Sequence, residues 1–105
     1  MLRLNTWQRV TLINLIGGLK GPVAMIRKAG KLLDILEFTK DEQEQINLLT
    51  TPKSTTWKNE VETWVVEIAD SELMSFLTQR VKGYDGWLVG DHVMIVDLCE
   101  KLGIE

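Results

Sequence analysis

Residues 19–46, LKGPVAMIRKAGKLLDILEFTKDEQEQI, contain the features that we expect to organise the fold. Pro22 suits the first position of a helix, because an N–H group there would have no partner within the helix. From Val23 onward the apolar residues recur at the three- and four-residue spacing of an amphipathic helix. The predicted core stripe consists of Val23, Ile26, Ala29, Leu33 and Leu36, widened by Met25, Leu32 and Ile35. We expect this helix to end near Phe38.

Two further helices flank this one in the sequence. Thr39 is followed three residues later by Glu42, which is the spacing of a capping box, and we expect the helix that follows to run to about Leu49. Before the central stretch, Thr6 is the predicted N-cap of a first helix. The paired Gly17-Gly18 should end that helix, because glycine weakens helical structure.

The second half of the chain combines a strand with two more helices. Residues 62–68, ETWVVEI, are rich in β-branched and aromatic residues, and we expect them to pair with residues 56–58. Asp70 or Ser71 should cap a fourth helix, whose predicted inner stripe is Leu73, Phe76, Leu77, Val81 and Tyr84. A fifth helix should begin near Gly90-Asp91 and end at Gly103, with apolar residues at Val93, Ile95, Val96, Leu98, Cys99 and Leu102.

These patterns predict an α+β fold that is mostly helical, with four to five helices and one small two-stranded β-hairpin. At 105 residues, the chain has the length of a single domain spanning residues 1–105. It contains no apolar run approaching the roughly 18 residues that span a bilayer, and its start lacks the pattern of a signal peptide. One cysteine excludes an internal disulfide. We therefore expect a protein of the reducing cytosol.

The net charge of −3 conceals two segments of opposite sign. Residues 1–40 carry seven basic and two acidic side chains, whereas residues 41–105 carry five basic and thirteen acidic ones. The two segments can neutralise each other within one fold. Alternatively, basic and acidic surfaces can pair between subunits or attract a charged ligand.

The sequence contains no arrangement that predicts catalysis. His92 and Cys99 form the one His–Cys combination, but on one helix they lie about 10 Å apart along the axis. A nucleophile and its base must approach to about 3 Å. A structural zinc site needs four ligands of the Cys, His or carboxylate type, and this chain has one of each of the first two. We predict that the protein is not an enzyme and has no catalytic residues, metal site or cofactor.

Two groups of residues are candidates for binding. The first is the basic side of the central helix with its preceding loop, formed by Lys20, Arg27, Lys28 and Lys31. It suggests a small anionic ligand or nucleic acid, although the sequence pI of about 5.2 and the absence of a phosphate-loop spacing argue against strong phosphate binding.

The second group is aromatic. Four tryptophans are many for a chain of this length, and Trp57 and Trp64 lie in the two segments of the predicted hairpin. With Val66 they would form one exposed apolar patch, which is typical of protein interfaces. The alternative is that the tryptophans fill gaps in the core.

Several segments in this order resemble a family of small uncharacterised bacteriophage and prophage proteins of about this length. They are LNTWQRVTLINLI at 4–16, MIRKAGKLLDILEFTKDEQEQI at 25–46, Trp57 in a polar loop, VVEIADSE at 65–72 and HVMIVDLCEKLGI at 92–104. The resemblance implies a phage-associated protein that acts in the bacterial host cytoplasm. It implies no catalytic or binding residue.

We therefore expect a non-enzymatic phage-associated accessory protein that acts by protein–protein interaction. The expected partner is a second copy of the chain, giving a homodimer or other homo-oligomer, or a host protein such as a defence or transcription component. The alternative is a small anionic ligand or nucleic-acid binder that uses the basic helix face. We expect no association with a membrane.

Overall fold

The computed structural model describes residues 2–51, 54–58 and 63–104, and this part of the chain is mostly helical. The helices are α1 (Thr6–Gly17), α2 (Val23–Leu36), α3 (Lys40–Ile46), α4 (Ser71–Gly83) and α5 (His92–Leu102), and a 3-10 turn at Val89–Asp91 precedes α5. The short strands are β1 (Leu2–Leu4), β2 (Leu49–Thr50), β3 (Thr55–Thr56) and β4 (Trp64–Val66). The predicted mostly helical α+β fold is confirmed. None of the helices in these ranges is long and apolar enough to cross a bilayer.

The strand predicted at residues 62–68 is present as β4, but the predicted pairing with residues 56–58 is wrong. Strand β4 pairs antiparallel with β1, placing Leu2 opposite Val66 and Leu4 opposite Trp64. Thr56 pairs instead with Leu49, between β3 and β2. Pairing with β1 brings two inward-facing apolar residues from each strand into the core. Glu62, the first residue of the predicted strand, lies outside the described residues.

Helix α1 is at the centre of the fold and packs against β1, α2, α4 and α5. Its N-cap is Asn5, and the prediction of Thr6 is wrong by one residue. The Asn5 side chain accepts a hydrogen bond from the Gln8 N–H, and the Gln8 side chain accepts one from the Asn5 N–H. The Thr6 hydroxyl is buried and accepts a hydrogen bond of 2.9 Å from the Trp64 indole N–H. Thr6 therefore connects α1 to β4.

Helix α2 packs through a narrower face than the sequence predicts. Its buried residues are Ala29, Leu32 and Leu36, with Met25, Leu33 and Ile35 half-buried beside them. Val23 and Ile26 are exposed, contrary to the prediction that they belong to the core. At 3.6 residues per turn, the buried face centres on Leu32, which leaves Val23 on the opposite side of the helix.

The ends of α2 and α3 differ slightly from those predicted. Helix α2 ends at Leu36, and Phe38 is buried between elements instead of closing the helix. The capping box of Thr39 and Glu42 is confirmed. Helix α3 ends at Ile46, short of Leu49, because Asn47 adopts the left-handed conformation at φ 52°.

The described residues form two packed apolar clusters. The larger lies between α1, α2, α4, α5 and the inner side of the β1–β4 sheet. The smaller consists of Val10, Phe38, Ile46 and Trp64, with Ile13, Leu48 and Trp57 packed against it. The predicted inner stripe of α4 is buried at Leu73, Phe76, Leu77 and Val81, whereas Tyr84 lies beyond the helix end and is exposed.

Arg9 joins three helices beside the smaller cluster. It is 4% exposed, and its guanidinium carbon lies 4.2 Å from the centre of the Phe38 ring. Its Nε donates to the carbonyl oxygen of Leu36 at 2.7 Å, and Nη2 donates to that of Glu37 at 2.8 Å. Both Nη atoms donate to the Glu42 carboxylate, at 2.9 and 3.0 Å. Arg9 of α1 thus satisfies carbonyls at the end of α2 and a carboxylate in the first turn of α3.

The Glu42 carboxylate is held in its charged form. Burial acts to raise the pKa of Glu42, but the hydrogen bonds and positive charge of Arg9, together with hydrogen bonds from Thr39, outweigh this effect. The pKa of Glu42 is therefore lowered from its ordinary value of 4.5.

Gln8 connects α1 to α5 in the same way that Arg9 connects α1 to α2 and α3. Its buried side chain donates to the Met94 carbonyl oxygen at 3.1 Å and to the Asp97 carboxylate at 2.8 Å. Its side-chain oxygen accepts from Lys101 Nζ at 3.0 Å, and Lys101 also forms an ion pair of 2.8 Å with Asp97. The hydrogen bond from Lys101, followed by that from Gln8, lowers the pKa of Asp97 from its ordinary value of 3.8.

We expect Arg9→Met to lower the free energy of unfolding by about 3–5 kcal/mol, because it leaves a partly buried carboxylate and two helix-end carbonyls without their donor. Urea unfolding followed by tryptophan fluorescence measures this change. The matched control is Lys31→Met on the exposed side of α2, where we expect a change within about 0.5 kcal/mol. A loss below about 1 kcal/mol for Arg9→Met would contradict the role assigned to Arg9.

The lowered pKa values of Glu42 and Asp97 predict acid sensitivity. A carboxyl whose pKa is lowered by folding stabilises the folded state above its unfolded pKa, and this contribution is lost as the pH falls through the folded pKa. We expect the free energy of unfolding to decrease as the pH falls below the ordinary pKa values of these two groups, which are 4.5 for Glu42 and 3.8 for Asp97. In the Glu42→Gln, Asp97→Asn double variant, this decrease should be shallower. Urea titrations between about pH 3 and 7 measure it, and equal slopes in the two proteins would contradict the assignment.

Candidate protein-binding surface

Helix α5 is apolar on two opposite sides, and one of them is exposed. Leu98 and Leu102 are buried against the larger cluster, with Ile95 and Cys99 half-buried on the same side. On the other side, Val89 is 87% exposed and Val93 is 70% exposed, and Val96 is exposed next to them. Val93 and Val96 share one side of α5 at the spacing i, i+3, and Val89 lies in the 3-10 turn that precedes the helix. With the exposed Leu88 they form what we call the α5 outer face: Leu88, Val89, Val93 and Val96.

This outer face belongs to a helix that is held at several points. Gln8 bonds to the Met94 carbonyl and to Asp97 on α5, as described above. The Asn5 side chain donates to the Met94 sulfur, next to the same turn of the helix. At the C-terminus Gly103 adopts the left-handed conformation at φ 74°, which confirms the predicted cap. The exposed valines therefore project from an anchored element.

An aromatic groove adjoins the α5 outer face. It has a volume of about 450 Å³ and lies between α1, the loop that follows α1, and the segment between α4 and α5. The Tyr84 and Trp87 rings meet edge to face, with centroids 4.8 Å apart and an interplanar angle of 79°. The Trp87 indole donates to the Val81 carbonyl oxygen at 3.2 Å, which fixes its ring. The residues that define the aromatic groove are Trp7, Asn14, Tyr84, Trp87, Leu88 and Asp91.

Leu88 belongs to both features. It lines the aromatic groove and is also part of the exposed outer face. The groove and the face are therefore one continuous surface, apolar along α5 and aromatic at its N-terminal end. Such an extended apolar patch is typical of protein-binding surfaces.

The predicted basic site residues lie on α2 and in the loop that precedes it. Lys20 is exposed in the loop between α1 and α2, and Arg27 and Lys31 are exposed on α2. Lys28 is half-buried, with its Nζ 5.9 Å from the Phe76 ring centre, and lines a shallow surface groove together with Glu72. The structure places these four side chains along α2 and its loop, and they do not converge on one shared groove among those formed by the described residues.

The expected exposed patch of Trp57 and Trp64 is wrong. Trp64 is 7% exposed, because β4 directs it and Val66 into the core and its indole bonds to Thr6. Trp57 is half-buried and packs against the smaller cluster. The alternative interpretation, that tryptophans fill gaps in the core, describes these two residues correctly.

His92 and Cys99 are seven residues apart on α5, which places them two turns apart near the same side of the helix. His92 is exposed, and its Nδ1 donates to the Val89 carbonyl oxygen at 3.0 Å. Cys99 is half-buried against the larger cluster. Within residues 2–51, 54–58 and 63–104, no three side chains of the His, Cys, Asp or Glu type come together to hold a metal ion.

The sequence contained signals for the surface that the prediction missed. Seven apolar residues from Val93 to Leu102 are more than one buried stripe of an eleven-residue helix requires. Tyr84 and Trp87 lie on either side of Asp85 and Gly86, so they are close together in the chain. The missing information was which side of α5 the rest of the fold covers.

The comparisons with known proteins returned no relative of this chain: no family model, no curated protein and no solved structure matches it. The resemblance to phage proteins therefore stays a prediction.

Proposed function

We propose that this chain is a non-enzymatic, phage-associated accessory protein of the bacterial cytoplasm that works by binding another protein through the α5 outer face. The observation that carries this proposal is the exposure of Val93 and Val96 on a helix whose opposite side is buried, with Val89 exposed in the 3-10 turn that precedes it. A helix that is apolar on both sides is typical of an element with neighbours on both sides. A partner chain supplies the second neighbour.

The size of the apolar contribution supports association of moderate strength. Burying each of the four side chains of the face contributes about 1.5–3 kcal/mol. Association itself costs about 4–15 kcal/mol in lost translational and rotational freedom. The face alone therefore sustains a weak complex, and contacts from the adjoining aromatic groove are needed for a tighter one.

The charge pattern of α5 favours a second copy of the same chain as the partner. His92 and Glu100 are both exposed, and each lies four residues from Val96. If two α5 helices pack antiparallel about a two-fold axis at Val96, His92 of each copy faces Glu100 of the other. Because His92 Nδ1–H is bonded to the Val89 carbonyl oxygen, Nε2 donates to the Glu100 carboxylate only in the imidazolium form, which carries a proton on both ring nitrogens. A self-complementary patch of this kind is what a two-fold dimer requires.

The sequence also suggested two other kinds of partner. A host protein, such as a defence or transcription component, would cover the same α5 outer face in place of the second copy. An anionic ligand or nucleic acid would use the basic side of α2, but those side chains are spread along an exposed helix and its loop. The surface on α5 is therefore the one we assign to function.

We expect Val93→Glu to abolish self-association, because it buries a charge in the apolar contact of each copy. The wild-type protein should sediment and scatter light at twice the 12.0 kDa chain mass, and the variant at the monomer mass. The matched control is Val23→Glu, since Val23 is 67% exposed on α2, away from the proposed contact. This control should remain dimeric.

If the wild-type protein stayed monomeric at concentrations up to about 1 mM, the second copy would be contradicted as partner. The free energy of association would then be less than about 4 kcal/mol. Loss of the dimer in Val23→Glu, with retention in Val93→Glu, would move the contact to α2. Circular dichroism of both variants establishes that each remains folded.

A further inference from the structure

We propose that the aromatic groove binds the guanidinium or ammonium group of an arginine or lysine side chain presented by a partner peptide. This inference deepens the proposed function, on which it rests for the peptide source of the cation. The cation site itself can be tested with small molecules, independently of any partner.

The charge of the groove selects a cation. Asp91 is the one charged residue among those that line it. Its carboxylate forms no hydrogen bond to the N-terminus of α5, and no ion-pair or hydrogen-bond partner contacts it among the described residues. An anionic ligand would be repelled by this carboxylate, because none of the described basic side chains lines the groove to offset its charge. A cation, in contrast, would gain its attraction.

The aromatic residues that line the groove also favour a cation. The near-perpendicular Tyr84 and Trp87 rings form a corner, and Trp7 lines the same groove. Aromatic faces attract guanidinium and ammonium groups through the negative charge at the face of the ring. Because the Trp87 indole N–H is already bonded to the Val81 carbonyl, the ring is held in place before a ligand binds. Preorganised walls lower the entropic cost of binding.

The basic side chains near this region do not occupy the groove. Arg80 lines a neighbouring groove, and its guanidinium lies 5.1 Å from the Phe76 ring centre. Lys20 follows Leu19, which lines the groove, but the Lys20 side chain is exposed outside it. The Asn14 side chain at the groove adds an amide oxygen that can accept a hydrogen bond from a guanidinium.

The position of the groove favours a side chain on a peptide over a free polyamine. Leu88 connects the groove to the α5 outer face, where Val89 and Val93 are exposed. A peptide that displaces the second copy can lay its backbone and apolar side chains along this face while one basic side chain enters the groove. A free polyamine has a thin methylene chain, which covers less of the valine surface than peptide side chains do.

The experiment titrates the ¹⁵N-labelled full chain with N-acetyl-arginine N-methylamide and follows the tryptophan indole signals by NMR. We expect the Trp7 and Trp87 signals to shift with a dissociation constant of about 1–10 mM, as suits a single side chain. The Trp64 signal should stay unchanged, because that indole is buried and bonded to Thr6. The citrulline analogue, which has the same shape without the charge, should bind about three- to tenfold more weakly.

The matched pair of variants is Asp91→Asn and Asp34→Asn, which change the net charge equally. Asp91→Asn should weaken binding of the arginine compound about three- to tenfold, whereas Asp34→Asn, exposed on α2 and outside the groove, should leave it unchanged. Equal binding of the citrulline compound, or equal loss in both variants, would overturn the cation site. So would a response of the Trp7 and Trp87 signals to N-acetyl-glutamate or phosphate in place of arginine.

Two further arms separate this inference from the proposed function. N-acetylagmatine, which carries the same single guanidinium charge without a peptide backbone, should bind no more tightly than the arginine compound, and tighter binding would overturn the peptide source. The arginine titration is repeated in Val93→Glu, which is expected to be monomeric. Binding there with unchanged affinity supports a cation site that stands even where self-association fails, and loss of binding would contradict it.

Discussion

The buried guanidinium of Arg9 is the contact on which the arrangement of α1, α2 and α3 depends. Removing such a charge from water is costly, and only a nearly complete set of partners offsets that cost. Arg9 has these partners: two carbonyls at the end of α2, the Glu42 carboxylate, and the faces of Phe38 and Trp64. Lysine cannot replace it, because a single ammonium group does not reproduce the planar set of donors.

Neighbouring residues of α1 connect it to opposite sides of the fold. Arg9 faces the end of α2, whereas Gln8 is buried toward α5 and bonds to Met94 and Asp97. The two hydrogen bonds of Gln8 set the position of α5 relative to α1. The Trp64 indole, bonded to Thr6, adds the β1–β4 sheet to the same helix. With its inner side fixed in this way, α5 has its remaining valines exposed, and these form the proposed binding face.

Local sequence signals predicted much of the fold. The Thr39–Glu42 capping box, the Asp70 cap and the Gly103 cap act within a few residues, and all three are present. The choice between Asn5 and Thr6 was also local, because Gln8 lies three residues after Asn5 and completes a capping box. The partner of β4 was not local. β1 is about sixty residues away in the sequence, and its short Leu-Arg-Leu alternation is weak evidence for a strand by itself.

The candidate site was predicted less well than the fold. Composition marked the tryptophans and the basic side of α2, since these residue types are common in binding sites. Whether a tryptophan is exposed depends on the tertiary contacts of its strand, and Trp64 is buried by a pairing that the sequence did not predict. The two-sided apolar pattern of α5 was visible, but its exposed side was defined only by the packing of α1, α4 and β1 against the other side.

The central claim is that the α5 outer face contacts a second copy of the chain. The most direct measurement is an isotope-filtered NOE experiment on a mixture of ¹³C-labelled and unlabelled protein, which detects contacts between protomers only. The account predicts intermolecular NOEs from the methyl groups of Val93 and Val96 to α5 of the other copy. Intermolecular NOEs confined to α2 or another surface, or none from these valines at millimolar concentration, would contradict it.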